Sequence, residues 1–275
     1  MRSKTFVFGV GAQKAGTSWL HRYIRDDDCY REGPIGEKEL HIWDRRDLEI
    51  FRNSRRSFRK VRGTESFILT VMERSEHMYF SYFSYVLRNG GIAADITPSY
   101  AGLSEERLAK IRDGFDQQGI NMKCMFLMRD PVGRCLSAFS MNRLKATDER
   151  PREGVRSDIG EREAFREYFK SSHCRLRTEY QETIRRIKSV FPESQAQFIF
   201  YEELFDKEVL AEISDFIGVR FRPDLAAKRV NEGKGSYEIC NDLIRECALY
   251  YEPTYHAVSD AFPAARKLWD GFKYL

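Results

Sequence analysis

No apolar run in the 275-residue chain approaches the roughly 20 residues that a membrane-spanning helix requires, which excludes a helical membrane protein. The six cysteines (Cys29, Cys124, Cys135, Cys174, Cys240 and Cys247) form neither a C-x-x-C pair nor a Cys/His ligand spacing. That removes a disulfide framework and a structural zinc site, and makes a reduced, cytoplasmic setting the expectation. Internal repeats and low-complexity tracts are missing as well, so the chain reads as one unit and not an array. A formal net charge of +4 favours anionic ligands but is well short of a basic tail or arm, and no nucleic-acid partner is expected. The opening "MRSKTFVFGVG" has a basic start but only a short apolar stretch that runs straight into glycine, so it reads as a first strand and not a signal peptide.

What is present suits a soluble α/β protein. Hydrophobic residues make up 42% and charged residues 32%, a balance that excludes wholesale disorder. "TFVFGVG" is a β-branched and aromatic run ending in glycine, and "TSWLHRYIRDD" continues with Trp19, Leu20, Tyr23 and Ile24 at helical spacing. A second strand-to-helix unit lies in "NMKCMFLMRDPVGRCLSAFSMNRL", where Pro131 marks a helix's first turn. A third, in "AQFIFYEELFDKEVLAEISDFIG", has a strand from about 197 to 201 and a helix closed by Gly218. Strands alternating with helices predict a parallel sheet with helices on both faces. The tail from Tyr237 to Phe272 reads as two helices broken near Pro253, and 145–162 as a mobile polar loop.

One further absence is the most informative. Gly11 and Gly16 in "GAQKAGTS" have the spacing of a P-loop, yet the position after the second glycine, where a nucleotide triphosphatase places its lysine, holds Thr17. The loop's lysine is Lys14. A glycine loop between strand and helix still presents backbone N–H groups and the positive helix end, an anion site to which Thr17 and Ser18 add hydroxyl donors. A triphosphate needs the lysine and Mg²⁺ at its β and γ groups. A shorter cradle suits a nucleotide 5′-phosphate carrying one transferable group.

These residues resemble the sulfotransferases that use 3′-phosphoadenosine 5′-phosphosulfate, whose donor loop carries a lysine before a Gly-Thr-[ST] step. Lys14, Ala15, Gly16, Thr17 and Ser18 fall on that loop. "RDPVGRCLS" matches the family's R-[ND]-P-x-x-R-x-x-S pattern, which implies that Arg129 and Ser137 hold the 3′-phosphate. "EKELHIWD" resembles the K-E-x-H segment of carbohydrate and bacterial members; Lys38, Glu39 and His41 match it. Glu39, ahead of His41, is the expected base for the acceptor's hydroxyl proton. Tyr201 in "FYEEL" and Trp19 are implied contacts of the adenine, and Lys234 and Gly235 in "NEGKGSYE" resemble a loop that closes over the 3′-phosphate. "DITPSY" resembles a segment facing the acceptor, with Ile96 where the family often has lysine.

The resemblance implies a P-loop-like α/β fold, a parallel sheet flanked by helices, in a single domain over residues 1–275 with acceptor-binding insertions near 44–92 and 145–162. It implies transfer of a sulfuryl group to a hydroxyl of a sugar or small metabolite, leaving adenosine 3′,5′-bisphosphate, with no metal required. Lys14 would stabilise charge on the bridging oxygen. Two alternatives stay open. A P-loop kinase would bind Mg²⁺ through Asp130, and a polyanion binder would use the basic stretch Arg45, Arg46, Arg52, Arg55, Arg56, Arg59, Lys60 and Arg62.

Overall fold

Strand β1 (Lys4–Gly11) leads through the glycine loop into helix α1 (Thr17–Arg25) in the computed structural model, which describes residues 3–146, 152–226 and 239–275. The chain then leaves the sheet for α2 (Trp43–Asp47), α3 (Gly63–Arg74) and α4 (Glu76–Val86) before returning as β2 (Gly91–Ile96). Helix α5 (Glu105–Asp116) connects to β3 (Asn121–Met128), which feeds α6 (Pro131–Arg143). Helices α7 (Glu161–Lys170), α8 (Ser172–Arg175) and α9 (Tyr180–Val190) precede β4 (Ala196–Phe200). Then come α10 (Lys207–Ile217), α11 (Asn241–Tyr250), α12 (Glu252–Ala261) and α13 (Ala265–Leu268).

The four strands run parallel in the order β2-β1-β3-β4. Strand β1 is buried from Thr5 to Gly11, as a near-continuous apolar strand covered on both faces must be. Because β2 and β3 flank β1 on opposite sides, the connections diverge at the carboxyl end of β1. A crevice opens there, between β1 and β3, where open α/β sheets take ligands.

The aromatic run of 78–92 forms most of α4 and the start of β2, with Tyr79 and Phe83 turned inward and Tyr85 exposed. Phe83 and Tyr79 pack on Phe6 of β1, which stacks on Phe115 with centroids 4.1 Å apart. Strand β4 ends one residue earlier than expected, and Tyr201 opens the short 3₁₀ turn Tyr201–Glu203. In the tail, Pro253 stands in the first turn of α12 and not at the break, since its missing N–H is unneeded there.

Candidate functional site

At the carboxyl edge of the sheet lies an open cleft of about 620 Å³. Its floor is the glycine loop. Ala12 N–H donates to Leu127 O of β3 at 2.6 Å and Ala15 N–H to Ala12 O at 3.3 Å, which folds the loop back on itself. Ala15 is consequently fully buried behind the loop. Gly16 has φ 87°, and a Cβ there would run into Leu204, so both conformation and space require glycine. Helix α1 starts at Thr17 with no side chain capping its first N–H groups. Its amides and positive end therefore face the cleft with their hydrogen-bonding capacity open to an anion.

Lys14, Gly16, Thr17, Ser18 and Trp19 all line this floor. The Lys14 backbone has φ 69°. Three non-glycine residues among those described take positive φ (Lys14, His41 and Glu153), and all three line the cleft. Such conformations cost of order 1–3 kcal/mol each and persist where the surroundings over-determine them, as at functional sites. The Lys14 ammonium is held below its usual pKa by burial and then by the charges of Arg129, Lys145 and Lys38. Trp19 stacks on Tyr23 with centroids 5.2 Å apart and meets Phe205 edge-on.

The second unit supplies the opposite wall. At the end of β3, Arg129 donates to Lys14 O at 3.2 Å and lies over the Tyr201 ring, 4.6 Å from its centroid. Ser137, two turns into α6, lines the same cleft, as does Tyr201. Asp130 faces away. Its carboxylate accepts from Gly133 N–H (3.0 Å), Tyr255 OH (2.9 Å) and Gly271 N–H (2.6 Å), so the group a kinase would need for Mg²⁺ is spent inside the protein.

The third wall is the segment 38–44. Lys38 Nζ donates to Thr17 Oγ1 and Ser18 Oγ, both at 3.2 Å, and lies 2.6 Å from Glu39 Oε1. Glu39 Oε2 sits 3.3 Å from His41 Nε2, and His41 Nδ1 is 2.6 Å from Asp44 Oδ2, which also accepts from Ser99 Oγ. Burial alone would raise the Glu39 pKa, but the His41 hydrogen bond and the Lys38 charge bring it down to about 2. Burial would likewise lower that of His41, yet hydrogen bonds to Asp44 and Glu39 lift it to about 9. At neutral pH this is a carboxylate beside an imidazolium.

Buried Asp95 of β2 holds the segment in place. It accepts from Thr97 Oγ1 (2.7 Å), Tyr100 OH (2.8 Å), Tyr79 OH (2.9 Å) and Leu40 N–H (3.3 Å), while Ile96 N–H donates to Lys38 O at 3.1 Å. Pro98 and Ser99 of "DITPSY" reach the cleft. Arg56 clamps the other side, donating to Leu40 O (2.9 Å) and His41 O (3.1 Å) and pairing with Glu73 at 3.2 Å. Arg46 pairs with Glu76, Arg52 with Glu49, and Arg55 donates to the carbonyls of Arg45 and Arg46. These four of the eight cations of the basic stretch thus have internal partners, which weakens its use as a polyanion surface.

The sequence-derived residues come together, with three exceptions: Ala15 is behind the loop, and Lys234 and Gly235 lie outside the described residues. No residue of 44–92 lines the cleft. Sequence reasoning missed Asp44, although its i, i+3 spacing from His41 signals a shared turn. It also missed Gln13, Glu153 and Arg177, which line the cleft from the loop, from residues 152–155 and from after α8. Six lysine and arginine side chains (Lys14, Lys38, Arg129, Lys145, Arg152 and Arg177) and the His41 imidazolium line the cleft with two carboxylates, Glu39 and Glu153. The lining of the cleft therefore carries net positive charge.

The chain is similar over 97% of its length, and 99% of the other's, to the structure of a sulfotransferase from Alicyclobacillus acidocaldarius, with 22% identity and a TM-score of 0.61. Weaker matches include the sulfotransferase domain of the Synechococcus PCC 7002 olefin synthase (15% identity, TM-score 0.47, 95% and 96% covered). Another is mouse sulfotransferase SULT7A1 complexed with PAP (12% identity, TM-score 0.43, 97% and 87% covered). The likeness of fold rests on the first. No curated protein matches by sequence. The profile of the sulfotransferase domain matches residues 4–234, more than half of the chain, and the protein therefore belongs to the sulfotransferase domain family.

Proposed function

We propose that the protein moves a sulfuryl group from 3′-phosphoadenosine 5′-phosphosulfate to a hydroxyl of a sugar or small metabolite. The observation that carries this reading is the Arg129 guanidinium 3.2 Å from the Lys14 carbonyl, which puts an uncapped helix N-terminus and an arginine fork on adjoining walls of one cleft. The residues fit the donor: loop amides, Thr17 and Ser18 for its 5′-phosphate, Arg129 and Ser137 for its 3′-phosphate, and Tyr201 and Trp19 for its base. When bound, the donor supplies an activated sulfuryl group whose leaving group is a nucleotide phosphate.

Lys14 donates to the oxygen on which charge builds, a contact that strengthens in the transition state. Glu39 is the base. His41, protonated up to about 9, has no lone pair to offer at neutral pH, whereas the Glu39 carboxylate is ionised. An incoming anion competes for the Lys38 ammonium, loosening its grip on Glu39 and raising the carboxylate's basicity. Asp44 and Ser99 hold the imidazolium in place. A His41 base would make the rate climb with pH up to about 9; a Glu39 base leaves single-turnover transfer flat between pH 6 and 8.

Titration calorimetry with adenosine 3′,5′-bisphosphate and AMP, in EDTA, tests the donor. Two or three charge-assisted hydrogen bonds to the 3′-phosphate, each contributing roughly 1.5–3 kcal/mol, imply a preference of at least about 100-fold for the bisphosphate. Equal affinities would sink the assignment.

A further inference from the structure

The donor leaves one wall of the cleft without a task. Arg152 N–H donates to Val155 O at 3.0 Å and Val155 N–H to Arg152 O at 2.9 Å, closing a tight turn whose central residues, Glu153 and Gly154, have φ 48° and 84°. Two-residue turns with both φ values positive favour Asn-Gly or Gly-Gly, because a side chain bearing a Cβ is strained there. Turn chemistry does not select a glutamate at the first position. Its carboxylate needs another explanation.

Three separate segments spend hydrogen-bond donors on that carboxylate. Gln13 Nε2 of the donor loop and Asn142 Nδ2 of α6 reach Oε2 at 3.2 and 3.3 Å, and Arg177 Nη2 reaches Oε1 at 3.3 Å. Gripping it leaves Gln13 Oε1, Asn142 Oδ1 and Arg177 Nε buried with no hydrogen-bond partner among the described residues. Orphaned groups of this kind are expensive to maintain. Arg177 is 3% exposed while the Glu153 side chain keeps 25% of its surface open, at the cleft. Burial would raise the Glu153 pKa, but Arg177 and then Gln13 and Asn142 hold it below the usual range, so it stays an anion.

A fixed carboxylate repels a polyanionic donor and is matched to the other substrate. Among the described residues that line the cleft, Trp19 and Tyr201 are taken by the donor's base in the proposed reading, which leaves Pro98 and Met141 as the apolar lining, little for a phenol or sterol to bury against. We infer that Glu153, held by Gln13, Asn142 and Arg177, is the specificity-determining contact for the acceptor, and that the acceptor is polyhydroxylated and sugar-like, donating a neighbouring hydroxyl to this carboxylate. The inference rests on the sulfuryl-transfer reading above and goes beyond it in naming what reads the acceptor.

The test offers the wild-type protein radiolabelled 3′-phosphoadenosine 5′-phosphosulfate with two acceptor sets at matched concentration, hexoses and hexosamines against p-nitrophenol and 2-naphthol. The best sugar should exceed the best phenol at least about tenfold in kcat/KM, since a site built to hydrogen-bond a hydroxyl discriminates strongly against molecules lacking it. Preference for a phenol, or transfer to no sugar, overturns the proposal. Glu153→Gln keeps the shape and removes the charge. It should raise the KM for the best sugar about 10- to 100-fold, with kcat changed far less and adenosine 3′,5′-bisphosphate affinity unaltered. An equal loss of nucleotide affinity would make Glu153 a scaffold for the loop through Gln13, and the proposal falls. If the wild-type protein fails to bind adenosine 3′,5′-bisphosphate at all, the sulfuryl-transfer reading fails first; binding with a phenol preferred defeats the acceptor inference alone.

Discussion

Two strand-to-helix turns lie side by side at the carboxyl edge of the sheet and treat their helix N-termini in opposite ways. At α1 the turn is made by Gly16, and no side chain caps the first amides. At α6 the turn is made by Asp130, which accepts from Gly133 N–H, while Val132 N–H donates to Tyr255 OH and Pro131 has no N–H to satisfy. The first helix end has no anion of its own. The second has supplied its own. What α6 gives the cleft is therefore confined to side chains, Arg129 just before it and Ser137 and Met141 along it. A backbone cradle binds any phosphate of suitable size, whereas a guanidinium fork at a fixed distance distinguishes where a second phosphate sits. Under the proposed function, the first unit would supply general anion affinity and the second would set the identity of the nucleotide.

The largest expected effect comes from disabling the open end. Lys14→Ala should lower the single-turnover transfer rate on the order of 100- to 1,000-fold, the range for losing one donor to developing charge, with a smaller effect on nucleotide affinity. An unchanged rate would remove Lys14 from the chemistry. Second, Arg129→Ala should erase most of the roughly 100-fold preference for adenosine 3′,5′-bisphosphate over AMP while leaving AMP affinity nearly intact. If calorimetry shows both nucleotides weakened equally, the division between the two units is false.

Breaking the filled end should act on stability instead. Asp130→Ala strips a cap and leaves Tyr255 OH and Gly271 N–H without their partner, which should lower the unfolding free energy by about 3 kcal/mol in urea titrations. A loss under about 0.5 kcal/mol would mean that water caps α6 as well as Asp130 does.

The smallest effect concerns the segment packed on the open end. His41 holds its proton to about 9 against an ordinary 6.5. A raised folded pKa contributes stability that is complete below the unfolded value and is lost as pH rises through the folded one. The stability gap between the wild type and His41→Asn should be on the order of 1 kcal/mol at pH 6 and close towards pH 10. A gap that widens with pH would show the imidazole to be neutral.

The sequence alone determined the parts of this protein that are local: a strand, glycine turn and helix at residues 4–25, the arginine and serine spaced along 129–137, and the parallel α/β pattern. These are legible because each is encoded by neighbours, through backbone conformations only glycine tolerates and apolar periodicity along one strand or helix. Asp44 belonged to the same local class, three residues from His41. Tertiary structure alone decided the rest. The basic stretch reads as a uniform surface in sequence, but Arg56 and Arg46 are drawn inward by Glu73, Glu76 and the carbonyls of Leu40 and His41. Glu153 drew no attention in a polar loop, because its three partners, Gln13, Asn142 and Arg177, stand 140, 11 and 24 residues away. Contacts that close over such separations depend on how helices stack on the sheet, and spacing along the chain carries no trace of it.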